Sequence, residues 1–449
     1  MLTLLLGLTG SAHAFCGTFI GGAGSEFFNE YAQVAIVRDG TQTTLSVVND
    51  IQTDDPSLGS FALVIPVPEI ITEENANVLE PALFDRLDQY SMPRLVTYEC
   101  EDFDLSEDEP NAGGGGAGGG PVNDAEVSIE AQYAVGEYEI VILSATGAEG
   151  LYEWLNNNGF AVPGQSQPLL QEYIDQGQYF LAAKVSDTSL SEFGIESGST
   201  LSPLQFTYQS SAFQIPIRIG TLNAKSEQDL VIYAINPYDN GMAGISNYRE
   251  FSFEDECMWE TQGEEFGRFV ADQFSSAYEE EDSAGWMLEY AWGGGGCDPC
   301  TGTPPDGTDL VSLGMNEEYV HYGQYYFTRL HMRYTPQQVQ EEVMLYSSNI
   351  FSQEQIRYIE YKPELEDRFP VCGVGMVEDP NSCDEIPSEP GSEQPDSSNP
   401  DQPESEEIYD TSDNSDQDLE EGCGGCQNHN SATPALALLL IPLIVRRRL

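Results

Sequence analysis

The sequence predicts an α+β protein: mixed strands with a few helices in one large body, followed by a disordered acidic C-terminal spacer. Three observations carry this. Short β-branched and aromatic runs outnumber amphipathic helical patterns, and the two do not alternate as regular βαβ units. No repeat of constant period runs through the chain. Of the 449 residues, 40% are apolar or aromatic, enough for a sizeable core and too many for global disorder.

Residues 33–37 and 43–48 flank Asp39-Gly40 and predict a hairpin with a slightly long loop. Phe61–Val67 is almost continuously apolar, the pattern of a strand covered on both faces. Leu83, Phe84 and Leu87 line one side of a helix that must end before Pro93, and residues 94–98 return as a strand. Six acidic residues within 101–109 and seven glycines within 113–120 predict a surface loop, an insertion over 103–124. Its glycine run lacks the following Lys-Ser/Thr of a phosphate-binding loop. Residues 126–134 and 138–143 are strand-like. Leu151, Trp154 and Leu155 mark a helix closed by Gly159. Ser166 caps another, with Pro168 in its first turn and Gly177 after it. Further strands are expected at 179–185, 204–208, 213–219, 230–235, 327–334 and 342–346, and helices at 266–274 and 283–292.

The charge balance excludes one function class. Against 76 Asp+Glu stand 16 Lys+Arg, a net charge of −60, which repels phosphate backbones, so no nucleic acid is expected as a partner.

The two ends resemble addresses. Residues 1–14 combine a Leu-rich run with small residues at Ala12 and Ala14, a secretory signal cut after Ala14. The bulky Phe15 before Cys16 does not make a lipoprotein box. The body is expected over 15–377. Residues 378–422 form the spacer, whose stretch 378–421 holds seventeen acidic residues and no Lys or Arg; it is self-repelling and extended. The segment 423–449 contains Cys423-Gly-Gly-Cys426, an apolar run over 432–445, and Arg446, Arg447 and Arg448. Fourteen helical residues reach ~21 Å, short of the ~30 Å hydrocarbon core, so the run suits a transient stop with the arginines on the cytoplasmic side. This order resembles the Myxo-type C-terminal sorting signals. That resemblance implies a processing protease as a partner, attachment near Cys423 or Cys426, and contact with the membrane through this segment.

The body holds seven cysteines, Cys16, Cys100, Cys257, Cys297, Cys300, Cys372 and Cys383, which an exported chain makes disulfide candidates. Cys297-Asp-Pro-Cys300 is the one compact motif. Four glycines precede it and Thr-Gly-Thr-Pro-Pro follows, a loop context that favours a structural staple over a redox centre at a helix start. A zinc site needs a second pair nearby, and the nearest, Cys423 and Cys426, lies across the spacer. The acidic loop Asp102-Phe-Asp104-Leu-Ser106 starts like a calcium loop but has Glu107 where glycine is needed. No metal and no cofactor are therefore expected. Histidine is scarce. Arg329, His331 and Arg333 share one face of a strand by period two, the most basic spot of the body, and suit neutralising local carboxylates better than general-base catalysis.

The ordered segments Phe15-Cys16-Gly17, VAIVRDG (34–40), FALVIPVP (61–68), YAVGEYEIVILSA (133–145), Leu201-Ser202-Pro203-Leu204-Gln205, PIRIG (216–220), EYAW (289–292) with Cys297-Asp-Pro-Cys300, and FTRLHMRY (327–334) resemble the bacterial family of domain of unknown function 2330. The resemblance spans nearly all of 15–370. It implies an exported bacterial protein and supplies no catalytic residues. The expected function is that of a cell-surface or outer-membrane protein, C-terminally anchored, with a non-catalytic structural or interaction role. The alternative is an exported enzyme, either a thiol-disulfide oxidoreductase using Cys297 and Cys300 or a carboxylate-dependent hydrolase.

The body carries 59 acidic and 13 basic residues, a net −46, and self-repulsion on that scale disfavours the compact state. Salt shortens the Debye length from ~10 Å at 0.1 M to ~3 Å at 1 M. The melting temperature is therefore expected to rise with NaCl over that range; a flat or falling trend would count against the charge argument.

Overall fold

The strand Phe61–Val67 is buried along its whole length because its residues point alternately into two different cores. Phe61, Leu63, Ile65 and Val67 face a second sheet, whereas Ala62 and Val64 face helices. The computed structural model in which this is seen describes residues 18–372 apart from 22–26, 29–31, 50–51, 54–59, 98–126, 159–163, 196–200, 225–226, 253–256, 260–264, 298–299, 301 and 363–368. The expected signal, the 103–124 insertion, the calcium-like loop, Cys16, Cys100, Cys383 and everything from the spacer onward lie outside the described residues.

The architecture is α+β, in four layers. An antiparallel five-stranded sheet runs in the order Thr18–Gly21, Phe61–Val67, Tyr179–Val185, Tyr138–Ala145, Val127–Val135. Facing it is a nine-stranded mixed sheet. Its path is Arg249–Glu250, Gly285–Gly293, Tyr325–Tyr334, Gln228–Pro237, Ala32–Asp39, Gln42–Asn49, Leu204–Gln209, Ala76–Val78, with Glu354–Gln355 also on Gly285–Gly293. Leu63 and Ile65 of the first sheet meet Val34, Ile36, Leu45, Leu230, Ile232, Leu330 and Met332 of the second in one core. Each fully buried side chain of this kind stabilises by about 1.5–3 kcal/mol relative to exposure, the driving force that offsets the charge repulsion.

Helices roof both outer faces. Helices α2 (Ala148–Asn157) and α3 (Gln167–Asp175) set Leu151, Leu155, Leu170 and Tyr173 on the five-stranded sheet. On the nine-stranded sheet, α1 (Pro81–Ser91) and α6 (Gly307–Ser312) bring Leu83, Phe84, Leu87 and Leu310 onto Val231, Tyr233, Ile235 and Phe327. Helix α5 (Phe266–Glu281) packs Phe274 and Tyr278 beside Met287 on the same face. The short helices α4 (Asp187–Phe193) and α7 (Glu317–His321) complete the set among the described residues. Arg86 of α1 grips Asp309 of α6 with two hydrogen bonds, at 2.9 and 2.5 Å.

Several expectations hold. The hairpin closes through Gly40-Thr41, with Asp39 opposite Gln42 and Gly40 at φ +59°, a shorter turn than expected. Gly177 follows α3 at φ +73°. Two expectations are corrected. Residues 283–292 are not a helix but the strand Gly285–Gly293. A β-bulge between Leu288 and Tyr290 breaks its alternation, so apolar residues at 286, 287, 290 and 291 fall at spacings a helix face also shows. Residues 213–219 form only the two-residue strand Gln214–Ile215. Pro216 has no amide to give a ladder, and the next amides, of Ile217 and Arg218, donate to the Glu342 carboxylate at 2.6 and 3.1 Å. That carboxylate also receives the Tyr173 hydroxyl at 2.5 Å, tying α3 to the three-stranded sheet of Gln214–Ile215, Val343–Ser347 and Ala243–Ile245.

Candidate functional site

The strand Tyr325–Tyr334 lies between Gly285–Gly293 and Gln228–Pro237, antiparallel to both. Its even members Leu330, Met332 and Tyr334 enter the inter-sheet core. Arg329, His331 and Arg333 therefore point the other way, under α1 and α5. Three carboxylates meet them there. Asp229 sits directly opposite Arg333 across the strand pair. The bulge leaves Glu289 without a cross-strand partner and aims its side chain at Arg329 and His331. Asp88 descends from α1.

The six groups alternate in sign. Asp88 accepts from Arg329 at 2.7 Å, and Arg329 donates its Nε to Glu289. Glu289 takes His331 Nδ1 at 2.9 Å, and His331 Nε2 stands 3.7 Å from Asp229. Asp229 then receives Arg333 through both oxygens, at 2.6 and 2.8 Å. The ends are roofed by aromatic rings. Phe274 of α5 stacks on the His331 imidazole, centroids 4.0 Å apart and planes within 2°, and the Arg333 guanidinium lies 4.8 Å from the same ring. Arg329 covers Tyr233 at 5.5 Å. Side-chain exposure of 6% for Arg329 and 4% for Glu289 leaves no room for a substrate at the middle of the chain.

Electrostatics follow from this order. Burial pushes the His331 imidazole toward neutrality, but the carboxylates of Glu289 and Asp229 outweigh it and raise the pKa to about 9. Burial likewise opposes ionisation of Glu289, and Arg329 and His331 overcome it, holding the carboxyl at about 2. Asp229 is held well below the ordinary carboxylate range: burial works against it, and Arg333 and His331 prevail. Three cations and three anions result near neutral pH. A histidine held protonated between two carboxylates is not a free general base at neutral pH.

The Cys297-Asp-Pro-Cys300 motif is joined to the same roof. Cys297 and Cys300 form a disulfide, Cys297 half-buried against the α1 core and Cys300 exposed. Tyr90 of α1 donates to the Gly296 carbonyl at 2.8 Å, and the Tyr290 hydroxyl lies 2.7 Å from Tyr90 and 2.6 Å from that carbonyl. Arg94 covers Tyr290 at 5.1 Å; burial lowers its pKa to about 10. Among the described residues the first helix after the motif is α6, which begins at Gly307, so the motif does not sit in its first turn, where a helix dipole would activate a redox thiolate. A second disulfide joins Cys257 to Cys372, beneath α5. Among the described residues no group of three or more His, Cys, Asp or Glu is arranged to hold a metal ion. A shallow cleft between the sheets is lined by Leu45, Pro66, Tyr173, Phe206, Tyr208 and Gln214 among others, with no carboxylate, histidine or cysteine.

The period-two face of Arg329, His331 and Arg333 is legible in the sequence; Asp88, Asp229 and Glu289 are not singled out there. Ala14, Cys423, Cys426, Arg446, Arg447 and Arg448 lie outside the described residues. A family model described as an uncharacterized protein conserved in bacteria (DUF2330) matches residues 10–346. No curated protein and no solved structure matches the chain.

Two outcomes follow. His331 contributes stability that is complete below its ordinary value of 6.5 and lost as pH rises through about 9. Glu289 contributes stability that is present above its ordinary 4.5 and lost as pH falls through about 2. Thermal unfolding should thus be hardest between these ordinary values, and Glu289→Gln should remove about 3–5 kcal/mol by stranding two buried cations. A denaturant midpoint unchanged by Glu289→Gln would contradict this. For the motif, thiol titration of the folded protein should leave Cys297 and Cys300 oxidised at a poise that reduces catalytic pairs. Insulin reduction that disappears in a folded Cys297→Ser variant would show a redox centre instead.

Proposed function

We propose, from the premise that the chain belongs to the bacterial DUF2330 family, that it is an exported protein held at the cell surface by its C-terminal end, with a body that has a structural or interaction role. One observation carries the non-catalytic part of this reading. The cluster with the residue types of an acid–base site, Asp88, Arg329, Glu289, His331, Asp229 and Arg333, is neutralised internally and covered by α1 and α5. Its groups brace the roof of the sheet and do not line the cleft between the sheets. The oxidised Cys297–Cys300 loop, fastened by Tyr90 and Tyr290, supports a staple in the same way.

Export and anchoring are supported by sequence chemistry. The 1–14 signal directs the chain across a membrane, and the 432–445 run stalls it with Arg446, Arg447 and Arg448 inside. No helix among the described residues is long and apolar enough to cross a membrane, so in this reading the tail supplies the attachment. A fourteen-residue run, apolar but for Thr433, is short for a permanent span, which favours removal of the tail and a new attachment near Cys423 or Cys426. The acidic spacer then holds the body away from the surface, at less than the ~3.3 Å per residue of a fully stretched chain.

Deleting 423–449 should release the body into the medium, and an epitope placed after Leu449 should be missing from the mature surface form. An epitope that persists on intact surface protein would replace processing by plain anchoring. A deletion variant that stays on the cells would show that the tail is not the anchor.

A further inference from the structure

Seven large apolar side chains are exposed among the described residues, and four of them, Tyr238, Tyr346, Ile350 and Phe351, belong to two segments that are hydrogen-bonded to each other. Met242 N donates to the Ile350 carbonyl at 3.0 Å, Asn349 N to the Asn240 carbonyl at 3.1 Å, and Ser348 N to the Met242 carbonyl at 2.9 Å. The Tyr326 hydroxyl donates to the Ser352 carbonyl from below. The fit is close enough to dictate residue type. Gly241 has φ +66°, and a Cβ there would meet the Ile350 carbonyl oxygen at 2.4 Å. Asn349 takes φ +53°, the left-handed region that asparagine tolerates better than other non-glycine residues.

This braced loop nonetheless turns its apolar side chains outward. Ile350 is 50% and Phe351 45% exposed, with Tyr238 at 42%. Tyr238 and Phe351 stack at 5.3 Å, and the buried Tyr326 ring meets Phe351 at 6.3 Å and 70°, so the aromatic surface is a fixed cluster rather than scattered residues. Rigid exposed aromatic groups of this kind mark contact surfaces.

Charge selects the occupant. The contributing segments 236–246, 322–327 and 343–356 contain Asp239 and Glu354 and no Lys or Arg. Both carboxylates are exposed; Asp239 directly follows Tyr238, and Glu354 begins the short strand Glu354–Gln355 three residues after Phe351. Aromatic faces attract cations, guanidinium most often. A second copy of the chain would bring another net −60 and be repelled.

We propose that Tyr238, Ile350 and Phe351, flanked by Asp239 and Glu354, form a docking surface for an Arg- or Lys-bearing segment of a partner protein. The proposal rests on the reading of the body as an interaction module and is independent of how the chain is anchored.

The test measures binding of a fluorescent oligoarginine peptide to the purified full chain by anisotropy. The measurement is made at ~0.1 M NaCl, where attraction by the acidic spacer is common to wild type and variants and cancels in their comparison. Tyr238→Ala and Phe351→Ala should each weaken binding about two- to fivefold, the equivalent of ~0.5–1 kcal/mol per exposed ring. Phe351→Trp should restore or tighten it. Phe193→Ala, which removes an equally exposed ring from α4, should have no effect. Equal affinities for wild type and both ring variants would overturn the proposal, as would self-association or glycan binding abolished by the same variants while oligoarginine binding is untouched. Release of the body on tail deletion tests the anchoring separately, so either idea can fail alone.

Discussion

Six ionised side chains enclosed between a sheet and its helical roof are tolerable only if their signs alternate and each has a near neighbour. Removing one carboxylate or ammonium from water costs several kcal/mol even after relaxation, while a pair at 4 Å recovers about 4 kcal/mol at an effective dielectric of 20. The sequence of contacts from Asp88 to Arg333 therefore comes close to balance as a whole and fails badly if any member is missing. Its value lies in specificity. A one-residue slip of Tyr325–Tyr334 would turn Arg329, His331 and Arg333 into the inter-sheet core and Leu330 and Met332 out of it. The same contacts decide where α1 and α5 rest, since Asp88 and Ser91 of α1 and Phe274, Ser275 and Tyr278 of α5 touch the arginines and histidine of the charged strand.

The inward use of cations extends beyond this cluster. The body has 13 basic residues, and among the described ones Arg38, Arg94 and Arg329 are buried. Arg38 holds the hairpin to the 210–213 turn through Thr43 and the carbonyls of Ser210 and Ala212, and Arg94 covers Tyr290 beside the Gly296 loop. Among the described residues, buried carboxylates match these arginines in number, Glu137, Glu289 and Asp309, so the exterior keeps the acidic excess of the composition.

Much of the fold was legible because it is local. The hairpin at Gly40, the two-sided burial of Phe61–Val67 and the face of α1 follow from turn chemistry and periodicity within a dozen residues. The basic face of Tyr325–Tyr334 was legible for the same reason. Its partners were not. Glu289 lies 40 residues from Arg329, Asp229 104 from Arg333 and Asp88 241 from Arg329, and in a body with 59 acidic residues nothing local distinguishes them. The bulge at Glu289 concealed both the strand and its role, because the register shift that aims the carboxylate also erases the alternation by which a strand is read. The Cys257–Cys372 pairing, 115 residues apart, is likewise decided by how the sheet brings distant segments together.

The protonation of His331 is the most direct measure of whether this charge order exists. Besides His331 the chain has only His13, His321 and His429, so its imidazole nitrogen resonances can be assigned by comparison with His331→Gln. Followed from pH 5 to 10, both nitrogens should report a protonated ring through neutrality, with the transition near pH 9. A His331 ring that is neutral at pH 7, or that titrates near its ordinary value of 6.5, would contradict the account.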